Sequence, residues 1–327
     1  MSAGHKAPEA HEASDWLMLG ALTLMWGSSF LFTKLAVAGL GFERVVTARL
    51  ALAAIILVPL AVALRRPWPS GVKRWLFFGL IAVIGNLLPF SLITWGQRAI
   101  ASGLAGILMA VMPLATLGLA HLFVPGETLT RGRIWGFLLG FTGVLLLIGP
   151  EALLAIGGDR GPLLPMLAVL AGALCYGVSA ILSRLRPASD AVSTAAAVTT
   201  LAAILSLPAS LGSVLQGASA LVLTPSVIGA VLFLGLFSTA AAMIVYFRLI
   251  QRAGPSFTSQ LNYLIPLWAV AIGILFLGEE PTLGHLGGLS LILGGVLLAR
   301  RAGRSIRRAL SEQVSSTASE GRREGRH

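Results

Sequence analysis

The sequence predicts an all-α integral membrane protein with ten transmembrane helices, arranged as two inverted five-helix repeats. Three observations support this prediction: an apolar composition, apolar runs long enough to span a membrane, and a match between the two halves of the chain. Of the 327 residues, 56% are apolar and 11% are charged, and the mean hydropathy is +0.87. Because roughly a quarter of the residues in ordinary soluble domains are charged, the composition excludes a soluble fold.

The apolar runs are about 20 residues long, which matches the hydrocarbon core of a bilayer. Ten such runs can be placed along the chain. Their predicted bounds are 16–39, 44–64, 75–95, 99–124, 134–149, 163–183, 191–215, 226–247, 255–277 and 284–299. The first fifteen residues lack a basic region followed by a short apolar core, so no cleaved signal peptide is expected.

The lysines and arginines predict the orientation in the membrane. If the N-terminus is cytoplasmic, 19 of the 24 basic residues lie in cytoplasmic segments, as the positive-inside rule requires. A multi-pass inner-membrane protein with both termini in the cytoplasm is therefore predicted. The basic segment 300–308 is expected to contact anionic lipid headgroups, which explains the net charge of +11 without a nucleic-acid partner.

The second half of the chain repeats the first at an offset of 149 to 153 residues. Four pairs of segments align in the same order: WGSSFLFTKL (26–35) with YGVSAILSRL (176–185), LAAIILVP (52–59) with LAAILSLP (201–208), MPL (112–114) with IPL (265–267), and GETLTRGRIWG (126–136) with GEEPTLGHLGG (278–288). Each half contains five predicted spans. A five-helix unit enters on one side and leaves on the other, so its copy is inverted, an architecture of secondary transporters.

The repeat divides the chain into five parts. These are a cytoplasmic N-terminal tail (1–15), a first repeat (16–149), a periplasmic linker (150–162), a second repeat (163–302) and a basic cytoplasmic tail (303–327).

Several of these motifs resemble a known family. They are the WGSSF…K opening of the first span, the RLALA of the second, and P…GE before a glycine-rich helix in both halves. With them the chain resembles the EamA family of the drug/metabolite transporter superfamily over about residues 16–302. The resemblance implies a ten-helix exporter of small metabolites, often amino acids, amines or related compounds. Family members with different cargo share these motifs, so they do not specify the substrate.

Lys34 lies in the first apolar span and has two interpretations. In the repeat it aligns with Arg184, at the cytoplasmic end of its helix. By inversion Lys34 should lie near the outer end of the first helix, where a lysine can extend to water. Alternatively, it is a cation that binds substrate inside the membrane.

Arg49 is the other basic residue within a span. Its repeat partner is Val198, so symmetric scaffolding does not explain it. Basic side chains within spans usually face protein or a watery cavity, and a guanidinium binds carboxylates through paired hydrogen bonds. The alternative is that Arg49 pairs with Glu43 or caps backbone carbonyls of a neighbouring helix.

Uncharged polar and aromatic side chains at mid-membrane depth suggest a small polar cavity, although a single serine or threonine more often bonds its own helix. The hydroxyl-bearing members include Ser28, Thr199, Thr200, Ser238 and Thr239. The predicted substrate-binding residues are Trp26, Ser29, Lys34, Arg49, Asn86, Gln260, Asn262 and Tyr263.

Prolines and glycines predict bends and close packing. Pro89, Pro113 and Pro266 lie inside spans and are predicted hinges, although static bends fit equally well. Small residues spaced four apart predict close packing of helices 5 and 10. They are Gly132, Gly136 and Gly140 on helix 5, and Gly284 and Gly288 on helix 10. This face joins either the two halves or two protomers of a homodimer.

Several features bear on chemistry and coupling. No zinc or nucleophile motif is present, so neither an enzyme nor a cofactor or metal is predicted. The predicted span cores contain no acidic residue, so proton coupling would fall to residues at helix ends. These are Glu43, His121, Glu127, Glu279 and Glu280. Glu127 and Glu279 are also explained as helix-boundary residues, and His121 as a structural residue.

The predicted function is export of small metabolites, amino acids or related carboxylate-bearing compounds, by alternating access. The alternatives are export of neutral or cationic amphiphiles, and a non-transporting membrane scaffold.

Overall fold

The computed structural model describes residues 12–123, 130–154, 162–184, 189–216, 221–299 and 301. Throughout these residues the regular secondary structure is helical. The helices are α1 (Ala13–Leu40), α2 (Phe42–Ala63), α3 (Val72–Gly96), α4 (Ser102–Phe123), α5 (Arg131–Leu154), α6 (Leu163–Arg184), α7 (Ala191–Leu215), α8 (Pro225–Gly254), α9 (Leu261–Leu277) and α10 (Leu283–Ala299). Glu127, most of the predicted linker and the tail 303–327 lie outside the described residues.

Eight of these helices, α1 to α8, are long and apolar enough to cross a membrane, and α9 and α10 are shorter apolar helices. A helix therefore lies on each of the ten predicted segments. The all-helical class with many membrane-length helices is confirmed, while the count of ten crossings and their inversion stay predictions.

The boundary between α8 and α9 differs from the predicted one. The eighth span was expected to end at 247, but α8 continues through Arg248 and Arg252 to Gly254. Arg252 is exposed there, and its guanidinium pairs with Asp15 at 3.1 Å and Glu12 at 2.7 Å. The regular helix stops at Gly254, whose φ of +79° is a conformation that favours glycine.

The helices of each half pack against helices of the other half. In the first half, α1 packs against α8 and α9, and in the second half α6 packs against α3 and α4. The extensive contact between α2 and α7 also joins the halves. The core is thus built across the two halves.

A glycine interface joins α5 to α10. A Cβ added at Gly136 would lie 2.5 Å from the carbonyl oxygen of Gly295, and one at Gly143 would lie 2.7 Å from that of Gly288. The two backbones are therefore in contact, and glycines seven residues apart on each helix make this contact. The predicted rows of glycines spaced four apart are only partly confirmed, since a Cβ added at Gly284 would lie no closer than 3.8 Å to any atom of α5. This face joins the two halves of one chain, and a homodimer stays a prediction.

Two helices contain π-helical segments at matching places in the halves. These segments are Val83–Leu87 in α3 and Phe233–Ala241 in α8, and their first residues are 150 positions apart. A π segment adds a residue to the helical turn and is often found at functional sites. Both segments carry residues of the predicted cavity, Asn86 in α3 and Ser238 with Thr239 in α8.

Candidate functional site

The candidate site centres on Arg49 of α2, a guanidinium inside the helix bundle with 8% of the residue exposed. Its Nε donates to the hydroxyl of Thr239 at 2.8 Å, and Nη2 donates to the hydroxyl of Ser238 at 3.2 Å. Both acceptors lie on the π segment of α8. The Thr239 hydroxyl donates in turn to the carbonyl of Leu234 at 2.8 Å, which leaves its lone pairs facing Arg49.

Aromatic side chains lie on the same guanidinium and beside its partners. The Arg49 Cζ lies 3.9 Å from the centre of the Phe90 ring on α3, within the range of a cation–π interaction. The ring of Tyr176 on α6 meets Phe90 edge-on, with the centroids 6.5 Å apart. Trp26 of α1 donates from Nε1 to the carbonyl of Ser238 at 3.1 Å. Five helices therefore converge on Arg49.

Arg49 has no acidic partner among the described residues, unlike Arg66 and Arg252. In the part of the chain that the structure describes, no carboxylate pairs with it, whereas Arg252 pairs with Glu12 and Asp15, and Arg66 pairs with Asp190. The expected alternative of a Glu43 or backbone partner is not observed, since the described hydrogen bonds go to hydroxyls. A guanidinium has further N–H donors, so this arrangement can accept an anionic group.

The remaining predicted residues of α1 and α3 flank this centre. Ser29 donates to the carbonyl of Trp26 at 2.6 Å, so its hydroxyl is used within α1. Asn86 is buried in the π segment of α3, four residues before Phe90. Residues four apart share a helix face, which places Asn86 one turn from the Arg49 site.

Lys34 lies at another place, at the connection between α3 and α4. Its Nζ donates to the carbonyls of Gln97 and Ile100, each at 2.8 Å. Glu279 accepts hydrogen bonds from the first amides of α4, those of Ser102 at 2.6 Å and Gly103 at 2.8 Å. This geometry gives Lys34 and Glu279 helix-end roles, and substrate binding by Lys34 stays a prediction.

Gln260, Asn262 and Tyr263 lie at the start of α9, where they are not hydrogen-bonded to Arg49. The Asn262 side chain donates to the carbonyl of Ser259 at 3.2 Å. Tyr263 packs against Leu114 and its neighbours. The structure therefore places Trp26 and Phe90 beside Arg49 and its partners, with Asn86 one turn away, while the described hydrogen bonds of Arg49 go to α8 and not to α9.

The predicted hinge prolines lie in two kinds of surroundings. Pro89 lies two residues after the end of the π segment of α3, and Pro113 follows a break in α4 between Met109 and Met112. Pro266 lies inside the continuous helix α9. A hinge role for the three prolines stays a prediction.

Comparison with known proteins identifies the family. The model of the EamA-like transporter family matches residues 15–149 and again residues 163–301. The chain belongs to the EamA-like transporter family. Relatives include an "Uncharacterized transporter" of Archaeoglobus fulgidus, 25% identical over 289 residues that cover 88% of this chain and 98% of that protein. A "Probable terminal-alkyne amino-acid exporter" of Streptantibioticus cattleyicolor is 26% identical over 84% of this chain and 90% of that protein.

A solved structure supports the fold of this EamA-like chain. A crystal structure covers 90% of this chain and 100% of its own, with a TM-score of 0.62 and 19% sequence identity. Together with the membrane-length helices, the named relatives make the protein a multi-pass membrane transporter of the EamA type.

Sequence reasoning missed part of the site in this EamA-like transporter. Phe90 was not singled out, although its place one turn after Asn86 was a usable signal. Tyr176 was noted only as the repeat partner of Trp26. The role of Gln97, whose Nε2 donates to the carbonyl of Phe30 at 2.8 Å, had no sequence signal.

Proposed function

We propose that this EamA-like protein exports a small carboxylate-bearing metabolite of the amino-acid class by alternating access, with Arg49 binding the carboxylate. The observation that carries the proposal is a buried guanidinium held by two hydroxyls, with no carboxylate partner among the described residues. An unpaired charge within a membrane protein is costly, and an anionic cargo would offset that cost. The relative named as an amino-acid exporter supports the cargo class.

The proposed architecture has ten crossings in two inverted repeats, 16–149 and 163–302. Three observations support it. The family model matches the chain twice, the π segments lie 150 residues apart, and α1 packs on α8 and α9 as α6 packs on α3 and α4. We also propose an inner-membrane location with both termini in the cytoplasm, and the distribution of lysines and arginines supports this orientation.

Ligand-dependent thermal stabilisation of the purified protein in detergent tests the function. The panel contains amino acids, related carboxylates and, for each, the neutral amide or ester analogue. A ligand at 100 times its Kd stabilises the folded state by about 2.7 kcal/mol. We expect a carboxylate to stabilise the protein and its neutral analogue not to do so. The carboxylate should also fail to stabilise Arg49→Gln.

The matched control is Arg98→Gln, which removes the same charge from an exposed side chain whose guanidinium lies 5.9 Å from the Phe42 ring. This variant should keep the stabilisation. The melting temperatures without ligand show whether either variant has lost its fold. A further variant, Arg49→Lys, retains the positive charge at this position. Equal stabilisation of Arg49→Gln and the unmodified protein by the carboxylate would contradict the proposal.

The second candidate cargo is a neutral or cationic amphiphile, supported by the aromatic side chains of Trp26, Phe90 and Tyr176 around the site. In that case amines or aromatic amphiphiles stabilise the protein, and Arg49→Gln retains the effect.

A further inference from the structure

Two buried polar groups near the π segment of α3 have no hydrogen-bond partner among the residues that the structure describes. They are the side-chain nitrogen Nδ2 of Asn86 and the hydroxyl of Thr199 on α7. Asn86 is 6% exposed and Thr199 is fully buried. A polar group buried without a partner costs about 1–3 kcal/mol, so each calls for an explanation.

The hydroxyl of Thr199 differs from neighbouring hydroxyls in the bundle. Thr23, Thr116 and Thr200 donate to the carbonyls four residues earlier in their own helices, at 2.8 to 2.9 Å. A threonine inside a helix commonly makes this bond. Because Thr199 does not, its hydroxyl stays available to another group.

The surroundings of Asn86 are built from both halves of the chain. Helices α6 and α7 both pack against the π segment of α3, and Gly85 in that segment lies against the hydroxyl of Ser179 on α6. Asn86 shares a helix face with Phe90, whose ring stacks on Arg49.

This region is related to the Arg49 site by the repeat. Arg49 lies seven residues after the start of α2 at Phe42, and Thr199 lies eight residues after the start of α7 at Ala191. Arg49 contacts the π segment of α8, while α7 packs on the π segment of α3. The contact of α7 with α3 therefore corresponds to that of α2 with α8, and Thr199 lies one position after Val198, the repeat partner of Arg49.

We propose that Asn86 and Thr199 form a second, uncharged subsite that binds a neutral oxygen of the cargo, a carbonyl or hydroxyl, while the carboxylate is bound at Arg49. Nδ2 is a donor, so it requires an oxygen acceptor. The cargo would reach about one helical turn, ~5 Å, beyond its carboxylate. The assignment of cargo as the bound molecule rests on the proposed transport function. The existence of the subsite does not depend on Arg49.

The first test uses Thr199→Val, which replaces the hydroxyl with a methyl group of similar shape. Removing an unsatisfied polar group should raise the melting temperature of the unliganded protein by roughly 2 °C. Loss of the bond to cargo should weaken binding of the carboxylate found in the panel by about five- to tenfold. The control Thr200→Val, whose hydroxyl is bonded within α7, should leave affinity unchanged.

The second test needs no cargo and uses iodoacetamide, a small reagent with a neutral carbonyl oxygen. In a Cys175→Ser background, which removes the native cysteine, Thr199→Cys should be alkylated about tenfold faster than Ser206→Cys. Ser206 lies on the same helix, is 3% exposed and donates to the carbonyl of Ala203. Equal alkylation rates would overturn the subsite.

Unchanged cargo affinity in Thr199→Val would also overturn the subsite. If the melting temperature falls at the same time, the hydroxyl has a structural role. These outcomes are distinct from failure of the proposed function. That failure shows as retained carboxylate binding in Arg49→Gln, whereas the alkylation of Thr199→Cys does not involve Arg49.

Discussion

Lys34 and Glu279 bind the two ends of one connection, the segment between α3 and α4. The lysine contacts the carbonyls of Gln97 and Ile100 where α3 ends, and the glutamate contacts the amides of Ser102 and Gly103 where α4 begins. A cation at a helix C-terminus and an anion at a helix N-terminus both oppose the partial charges of the backbone. The two residues therefore compensate opposite helix ends.

Glu279→Gln should lower the free energy of unfolding by about 1–2 kcal/mol, because charge-assisted bonds to two amides are weakened. The control is Glu280→Gln, which alters the exposed neighbouring carboxylate. Lys34→Met should likewise destabilise the protein. In both variants the affinity for the carboxylate cargo should stay unchanged, measured as the ligand-induced shift in melting temperature. An affinity loss in Lys34→Met would instead support a substrate-binding lysine.

Single residues also show how much of the site a sequence can reveal. Arg49 was identified because a charge within an apolar run stands out in composition alone. Its partners were harder to find, since Thr239 and Phe90 come from α8 and α3, and their proximity depends on packing. Glu279 acts on α4 across 177 residues of sequence, a distance that no local pattern reports.

At the scale of helices, the glycine interface between α5 and α10 depends on the absence of side chains. Gly143→Ala would place a Cβ 2.7 Å from the Gly288 carbonyl oxygen, so the two helices must separate. We expect a loss of about 1–3 kcal/mol in stability. The control Gly79→Ala adds a Cβ with no atom within 4 Å in α3. It should be neutral or stabilise by up to about 1 kcal/mol through helix propensity. Equal melting temperatures for the two variants would contradict the interface.

Hydropathy located the helices because membrane-length apolar runs have a strong compositional signal. It did not locate their irregularities. The π segments Val83–Leu87 and Phe233–Ala241 lie inside apolar runs, where hydropathy carries no signal for an extra residue per turn. The eighth span was predicted to end before Arg248, whereas α8 continues past Arg248 and Arg252 to Gly254.

At the scale of the whole molecule, helices of one half pack on helices of the other, and the candidate site lies between the halves. Helix α1 packs on α8 and α9, helix α6 packs on α3 and α4, and Arg49 links α2 to α8. Under alternating access, contacts across the halves must open and close around the cargo. A covalent link across one of these contacts should therefore stop the cycle.

The contact between α3 and α6 suits such a link. A Cβ at Gly172 would lie 2.9 Å from a γ carbon of Ile93, close to the ~3 Å that separates Cβ from the opposite sulfur in a disulfide. In a Cys175→Ser background, Gly172→Cys with Ile93→Cys should lose cargo uptake into proteoliposomes on oxidation and regain it on reduction. The control pair Gly140→Cys with Leu114→Cys, a γ-carbon distance of 3.6 Å, lies within the first half and should leave uptake unchanged. Because the first pair fixes the two halves to each other, undiminished uptake in its oxidised form would refute rocking of the halves across this contact.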